Sequence, residues 1–449
     1  MRHHSGLFAL LAVVAAAGPV LPAEPVGGQG VYHFAGSRSV ARQLEVQPAS
    51  DGLQLLWPEL AAFHWDTALL GVRSLKAQAE PWVELAAGSA SVRQYLDADA
   101  TGIRWLNLSA LHEQLQAGKS LQLHAHGLTL AAEPATLELF SNSADLHGTI
   151  LVIAPHPDDA EIAAFGLYAD RNTTIVTVTA GNAGDMNYRA QVSDPAAHFL
   201  LKGYLRAVDS VTVPWQGGVP PQHTYNLGYF DGRLDSMYQT PHQVLPEVYG
   251  PNTDIAVYRR VNLSTLLPNG SRQNSWDHLV EDLATILNKV HPAIIVTPDP
   301  RLDGHRDHPF ATVAVAAALA RLHGSATFFL YTNHADDNRY PYGPAGTVMS
   351  LPPIAAALTM QSVYSHPTDA ALQTRKLFAL ESMHDLRLSP AEQQRCAPPD
   401  PELRPDYPRI EAVDYFRRAP RSNELFYVFD TAGLRALVRD FLALNPPQG

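Results

Sequence analysis

Residues 148–166, GTILVIAPHPDDAEIAAFG, constrain the fold more than any other stretch of the chain. Thr149 to Ile153 form an apolar, β-branched run without polar alternation, the pattern of a strand buried on both faces in a parallel sheet. The run stops at Ala154-Pro155 and gives way at once to His156, Pro157, Asp158 and Asp159. Glu161 and a small-residue segment from Ile162 to Leu167 follow and predict a short helix. In open α/β sheets ligands sit beyond the carboxyl ends of the strands, so a polar cluster at such an end is a candidate site. Imidazole with carboxylate is a donor set suited to Zn²⁺. Read alone, the cluster also fits an Asx-type turn held by two prolines.

A second cluster far downstream repeats the arrangement. Trp276 to Val290 has Leu279, Leu283, Ile286 and Leu287 at helical spacing, and His291-Pro292 ends it. Ala293 to Thr297 is the next buried strand, and it runs into Pro298-Asp299-Pro300-Arg301-Leu302-Asp303-Gly304-His305-Arg306-Asp307-His308. Pro309 to Leu319 then reads as a helix with proline in its first turn. Between the clusters, Thr173 to Thr179 is a β-branched strand ending in the turn Ala180 to Asp185. That turn lacks the G-x-G-x-x-G spacing of dinucleotide sites and suits close backbone approach at the same rim. A further strand is expected at Ser210 to Trp215. Residues 217–251 read as long loops, compatible with a polar substrate groove or with plain solvent exposure. The expected fold is α/β, a Rossmann-like, mostly parallel sheet with helices on both faces.

Upstream the texture differs. After a linker and first strand over 24–45, short strand-like pieces recur at Leu53–Trp57, Ser91–Tyr95, Ile103–Leu106, Ser120–His126 and Ala135–Phe140, with one or two helical turns over 108–116. This spacing predicts a smaller, β-rich, sandwich-like domain. Its Trp57, Trp65, Trp82 and Trp105 suit either sandwich core or a sugar-stacking surface, and core is the simpler reading. The expected division is 1–23 leader, 24–146 β-rich accessory domain and 147–449 catalytic-type domain.

With 449 residues, 46% of them hydrophobic, the chain has room for two or three domains. A net charge of −12 argues against a nucleic-acid partner. One cysteine, Cys396, excludes a disulfide framework and a cysteine zinc cluster. Arg2, the apolar run Gly6 to Ala17 and Leu21-Pro22-Ala23 read as an export signal. The run is short for a membrane span, and no cysteine nearby could carry a lipid. The mature chain is expected to be exported, periplasmic or secreted, without a stable membrane anchor. Asn107, Asn172, Asn262 and Asn269 would be glycosylation candidates in a eukaryotic secretory pathway. Oligomeric state is not readable.

Two buried strands thus end in HPDD and HRDH, and each is followed by a helix. The segments PHPDDAE and HRDH resemble the two signatures of the PIG-L/LmbE family of zinc-dependent N-deacetylases. So do the TAGNAG turn, the PAIIVTPD strand, the Lys376–His384 segment and Asn423-Glu424-Leu425-Phe426, over roughly residues 147–430. The usual signature is HPDDE; here Ala160 precedes Glu161. The resemblance implies His156, Asp159 and His308 as ligands of Zn²⁺ or another divalent transition metal, with water completing the site. It implies Asp158 as general base and His305 as the group that stabilises the oxyanion and protonates the leaving amine. Asp307 fits either a partner that orients a histidine or a helix N-cap. Arg189, Arg206 and Asp231 lie where the family binds sugar hydroxyls or phosphate, though each also reads as an ordinary surface charge. The implied function is an exported hydrolase that removes the acetyl group from an N-acetylated amino sugar or glycan. Alternatives are a hydrolase of another N-acyl amide and a carbohydrate-binding protein with an inactive metal site. No G-x-S-x-G or Walker motif points elsewhere.

Overall fold

The structure, a computed structural model, describes residues 31–60, 63–98, 100–142, 146–386 and 415–446; the expected leader and Cys396 lie outside them. In chain order the strands are β1 (Tyr32–Phe34), β2 (Ser39–Leu44), β3 (Gln47–Ala49), β4 (Gly52–Leu56), β5 (Thr67–Ala87), β6 (Ala90–Tyr95), β7 (Gly102–Asn107), β8 (Ser120–Leu130) and β9 (Ala135–Phe140). They continue as β10 (Ile150–Ala154), β11 (Thr173–Thr179), β12 (Thr224–Tyr229), β13 (Ile294–Pro298), β14 (Thr327–Tyr331), β15 (Leu358–Met360), β16 (Ser362–Pro367) and β17 (Asn423–Phe429). The helices are α1 (Asp159–Tyr168), α2 (Pro195–Thr212), α3 (Leu234–Gln239), α4 (Ala256–Arg259), α5 (Trp276–Val290), α6 (Asp307–Leu322), α7 (Ala370–Ser382), α8 (Tyr415–Arg418) and α9 (Thr431–Leu444).

β10 is wholly buried, as its apolar run requires, and lies third in a sheet of order β12-β11-β10-β13-β14-β17-β16. From β12 to β14 each neighbour is parallel, but β17 runs antiparallel to both β14 and β16. The expected mostly parallel sheet is therefore a mixed one, because the last two strands close its edge in the opposite sense. Side chains alternate across β10. Leu151 and Ile153 join the core under α5 and α6, whereas Ile150, Val152 and Ala154 join the core under α1 and α7. Covered faces explain why the strand shows no polar alternation.

The N-terminal region is β-rich as expected, in the form of one eight-stranded antiparallel sheet. Its spine is the 21-residue β5, whose register shifts between Ala77 and Trp82, where Glu80 takes a positive φ of 52°. The first part pairs with β7 and β9, the second with β6, and β8 runs along both, so the sheet folds over a core containing Leu70, Leu85, Leu123 and Leu139. Thr67 and Asn142 tie this sheet to edge strand β16, accepting from Ser365 N at 2.9 Å and donating to Val363 O at 2.9 Å.

Two local expectations fail. Ser210 to Trp215 is not a strand: it is the end of α2 followed by a 3-10 turn. Ser210 and Thr212 donate their hydroxyls to Ala207 O and Val208 O, both at 2.8 Å, which lets β-branched residues end a helix that starts on the Asp194 cap. The 217–251 stretch contains a fully buried strand, β12. Of the one or two helical turns expected over 108–116, Ser109–Leu111 forms one, a 3-10 turn.

Candidate metal centre

Three parallel strands deliver the polar groups. β10 ends in His156, Asp158 and Asp159; β13 leads through Asp303 and His305 to Asp307 and His308; β14 ends in Asn333 and His334. His156 Nδ1, Asp159 Oδ2 and His308 Nε2 form a triangle with sides of 3.3, 3.1 and 3.1 Å. Ligand bonds of about 2.0–2.1 Å at tetrahedral angles place donors roughly 3.3 Å apart, so the three expected ligands fit one divalent cation.

Each donor is held from behind. His308 Nδ1 faces Asp303 Oδ2 at 2.8 Å, which puts the ring proton there and turns the Nε2 lone pair to the triangle. His156 Nε2 faces Asp231 Oδ1 at 3.2 Å and Asp307 Oδ2 at 3.4 Å. Asp159 Oδ2 accepts from His156 N at 2.8 Å, and Oδ1 accepts from Asn333 Nδ2 at 2.7 Å. The carboxylates favour positive charge between them. Burial opposes a charged His308, yet Asp159 and Asp303 push it up to about 10. Burial likewise opposes the Asp159 charge, but His308 and His156 hold its carboxyl well below the usual range. A divalent cation supplies the same positive charge and releases those protons.

Asp158 caps α1 with φ 117° and ψ −32°, a conformation that costs a non-glycine residue about 1–3 kcal/mol. Burial raises its carboxyl to about 7 against the pull of Arg206. Arg206 Nη2 donates to Asp158 Oδ2 at 3.1 Å and to Pro157 O at 2.7 Å, while Nη1 reaches Asp385 Oδ2 at 2.8 Å. His305 lies 4.3 Å from the His156 ring and 5.0 Å from the His308 ring, centre to centre. Its Nδ1 accepts from Asp307 N at 3.2 Å, so the neutral ring carries its proton on Nε2. Burial and the two neighbouring imidazoles lower it to about 4.

Of the other expected residues, Asp307 takes the first of the two roles offered for it, a partner facing a histidine, and not the second. It faces His156, and its carboxylate accepts from Gly232 N at 2.7 Å and Leu234 N at 3.1 Å, tying the turn before α3 rather than capping its own helix. Asp231 and Arg206 enter the cluster as partners of His156 and Asp158 rather than as exposed surface charges. Arg189 stays exposed, and no contact among the described residues ties it to the cluster. Glu161 turns away from the triangle, accepting from Tyr168 OH at 3.1 Å. Asp303, Asn333 and His334 were not anticipated. His334 lies 4.0 Å from Asp159 Oδ1, and Asp159, His308 and His334 bring ligand atoms within 4.8 Å of one another, as do His156, His305 and His308. The missed signal was the run Thr327–Tyr331 ending in Thr332-Asn333-His334, a third strand with a polar end.

Fold and donor set together define an α/β domain with a candidate divalent-cation site at its strand ends. Residues 151–319, from β10 through α6 and including both clusters, match the PIG-L family, described as GlcNAc-PI de-N-acetylase. No curated protein matches the chain. Among solved structures, the zinc-inhibited form of teicoplanin deacetylase Orf2 is 14% identical with a TM-score of 0.36, covering 63% of this chain and 98% of that one. GalB, the 4-carboxy-2-hydroxymuconate hydratase of Pseudomonas putida KT2440, is 12% identical with a TM-score of 0.28, covering 53% and 79%.

Proposed function

We infer that the chain is an exported, metal-dependent hydrolase that removes the acetyl group from an N-acetylated amino sugar or glycan. Residues 147–449 would form the catalytic domain and 24–146 an accessory domain. The observation that carries this reading is the triangle of His156 Nδ1, Asp159 Oδ2 and His308 Nε2, inside the segment that matches a de-N-acetylase family. Export rests on the leader-like residues 1–23; no helix of the described residues is long and apolar enough to cross a membrane.

A divalent cation held by His156, Asp159 and His308, with zinc the expected ion, supplies Lewis acidity to the amide carbonyl and makes a nearby water more acidic. The remaining work belongs to the protein. Asp158, near 7 and held by Arg206, takes a proton from the attacking water. His305, neutral, offers Nε2–H as a hydrogen bond to the carbonyl oxygen as it turns negative, and the proton taken up by Asp158 passes to the departing nitrogen in place of the transfer from His305 that the resemblance implied. Asp231, Asp307 and Asp303 keep the two ligand imidazoles in the required tautomers.

The test is acetate release from a panel of N-acetylated sugars by zinc-loaded and by chelated protein, with Asp158→Asn beside the wild type. Metal-dependent release is expected, and Asp158→Asn should bind metal normally while losing about 10²–10⁴-fold in turnover. Release that survives both chelation and the substitution would refute the reading.

A further inference from the structure

We propose that the cleft between the N-terminal sheet and edge strand β16 binds a neutral sugar unit belonging to the same glycan as the acetamide at the metal centre. The proposal rests on the deacetylase reading above. The cleft is a cavity of about 320 Å³ lined by Trp65, Asn107, Tyr364, Ser365, Ser422 and Asn423, among others. That is within the size range of small-ligand pockets.

Its chemistry matches a pyranose, which has an apolar C–H face and a rim of hydroxyls. Trp65 is half-buried, braced by Trp57 at 5.6 Å and His112 at 4.2 Å between ring centres, so the indole is fixed without being fully covered. Asn107 and Asn423 each donate Nδ2 to Ser365 Oγ, at 2.9 and 3.0 Å. With both lone pairs of Ser365 engaged, its own O–H remains a donor for a ligand. Ser422 Oγ is enclosed and has no hydrogen-bond partner among the described residues, the state expected of a group that a ligand hydroxyl completes. No Lys or Arg among the described residues lines the cleft, and Asp66 does, so a phosphate or carboxylate ligand is disfavoured.

Its place in the fold ties it to the metal centre. Leu330 pairs with Tyr427, and Ser365 and Pro367 pair with Leu425 and Asn423. Carrying the β14–β17 register onward puts Leu425 level with Thr332 and Asn423 level with His334. The cleft therefore opens on the same rim as the triangle, three strand spacings from β13 and four from β10, roughly 14–19 Å to the side. A smaller cleft lined by Asn333, Tyr415 and Asn423 lies between them, and Asn333 is the residue that holds Asp159. A tri- or tetrasaccharide spans that distance.

The experiment uses the full chain and two probes, N-acetylglucosamine and its linear β-linked tetramer. Ala110→Trp, at an exposed position on the cavity wall, fills the cleft, and Trp65→Ala removes its aromatic face. Both variants should raise KM for the tetramer about tenfold, the scale of one lost aromatic contact, with kcat and the monomer's kcat/KM unchanged. Wild-type constants for the tetramer in both variants would overturn the proposal. Should the wild type release no acetate from either probe, the deacetylase reading fails, and calorimetric titration of the chelated protein with the tetramer still decides. Binding lost in Ala110→Trp supports the cleft; binding absent in the wild type or unchanged in the variant overturns it.

Discussion

The His308 imidazole owes its orientation to Asp303, a carboxylate that neither sequence motif singles out. Asp303 lies 2.8 Å from His308 Nδ1 and accepts from His305 N at 3.0 Å and Asn333 N at 3.0 Å, so one side chain fixes parts of two strand ends. Asp303→Ala should lower zinc affinity about 10–100-fold, measured by competition with a chelator; unchanged affinity would deny it that role. His156, Asp158, Asp159, His305, Asp307 and His308 were legible because two apolar runs stop abruptly at them. Asp231 was visible as a candidate substrate contact or surface charge and Asp303 only as a loop acid, since nothing in their neighbours' spacing says which histidine they face. Asn333 and His334 follow a run as apolar as β10, but a lone Asn-His pair there lacks the repeated carboxylates that made the other ends stand out.

At the scale of elements, helix α1 carries Asp159 and is gripped by its neighbours. Glu424 on β17 accepts from Gly166 N at 2.8 Å and Leu167 N at 2.9 Å, and pairs with the buried Lys376 of α7 at 2.8 Å. Gly166 permits that approach, because a Cβ there would meet Thr368 Cγ2 at 2.4 Å. Glu424→Ala leaves Lys376 as an uncompensated buried charge and should cost about 3–5 kcal/mol in urea unfolding; a loss below 1 kcal/mol would contradict this. On β9, burial raises Glu138 from 4.5 to about 7. Its folded form binds the proton more tightly than the unfolded chain does, so its contribution to stability falls as pH rises from 4.5 through 7. Glu138→Gln should match the wild type near pH 4 and exceed it at pH 8; urea midpoints with equal offsets at both would refute the linkage. β10, β11 and β13 were readable from their apolar or β-branched runs, and so was α5 from its spacing, whereas β14 was not read although its run is as apolar. β12 was not, because its Thr224 and Asn226 look like loop residues. Asn226 is satisfied inside the core by Thr179 O at 3.1 Å and Ser210 Oγ at 2.9 Å, partners that no local pattern reveals. β5 was hidden by Glu80-Pro81, which marks a bend in one long strand rather than its end.

For the whole molecule, the mixed sheet brings residues some 150 positions apart to one point, and the N-terminal sheet closes its exposed edge at β16. The antiparallel pair β16–β17 that makes the sheet mixed also places that seam on the rim of the metal centre, so edge closure and the proposed glycan cleft have one structural origin. The central claim is that His156, Asp159 and His308 hold a single divalent ion. Crystals of the zinc-loaded protein, measured on both sides of the zinc absorption edge, test it most directly. One anomalous peak is expected within bonding distance of His156 Nδ1, Asp159 Oδ2 and His308 Nε2, absent from His308→Ala crystals; a peak elsewhere, or one that survives the substitution, would show that these residues do not hold the ion.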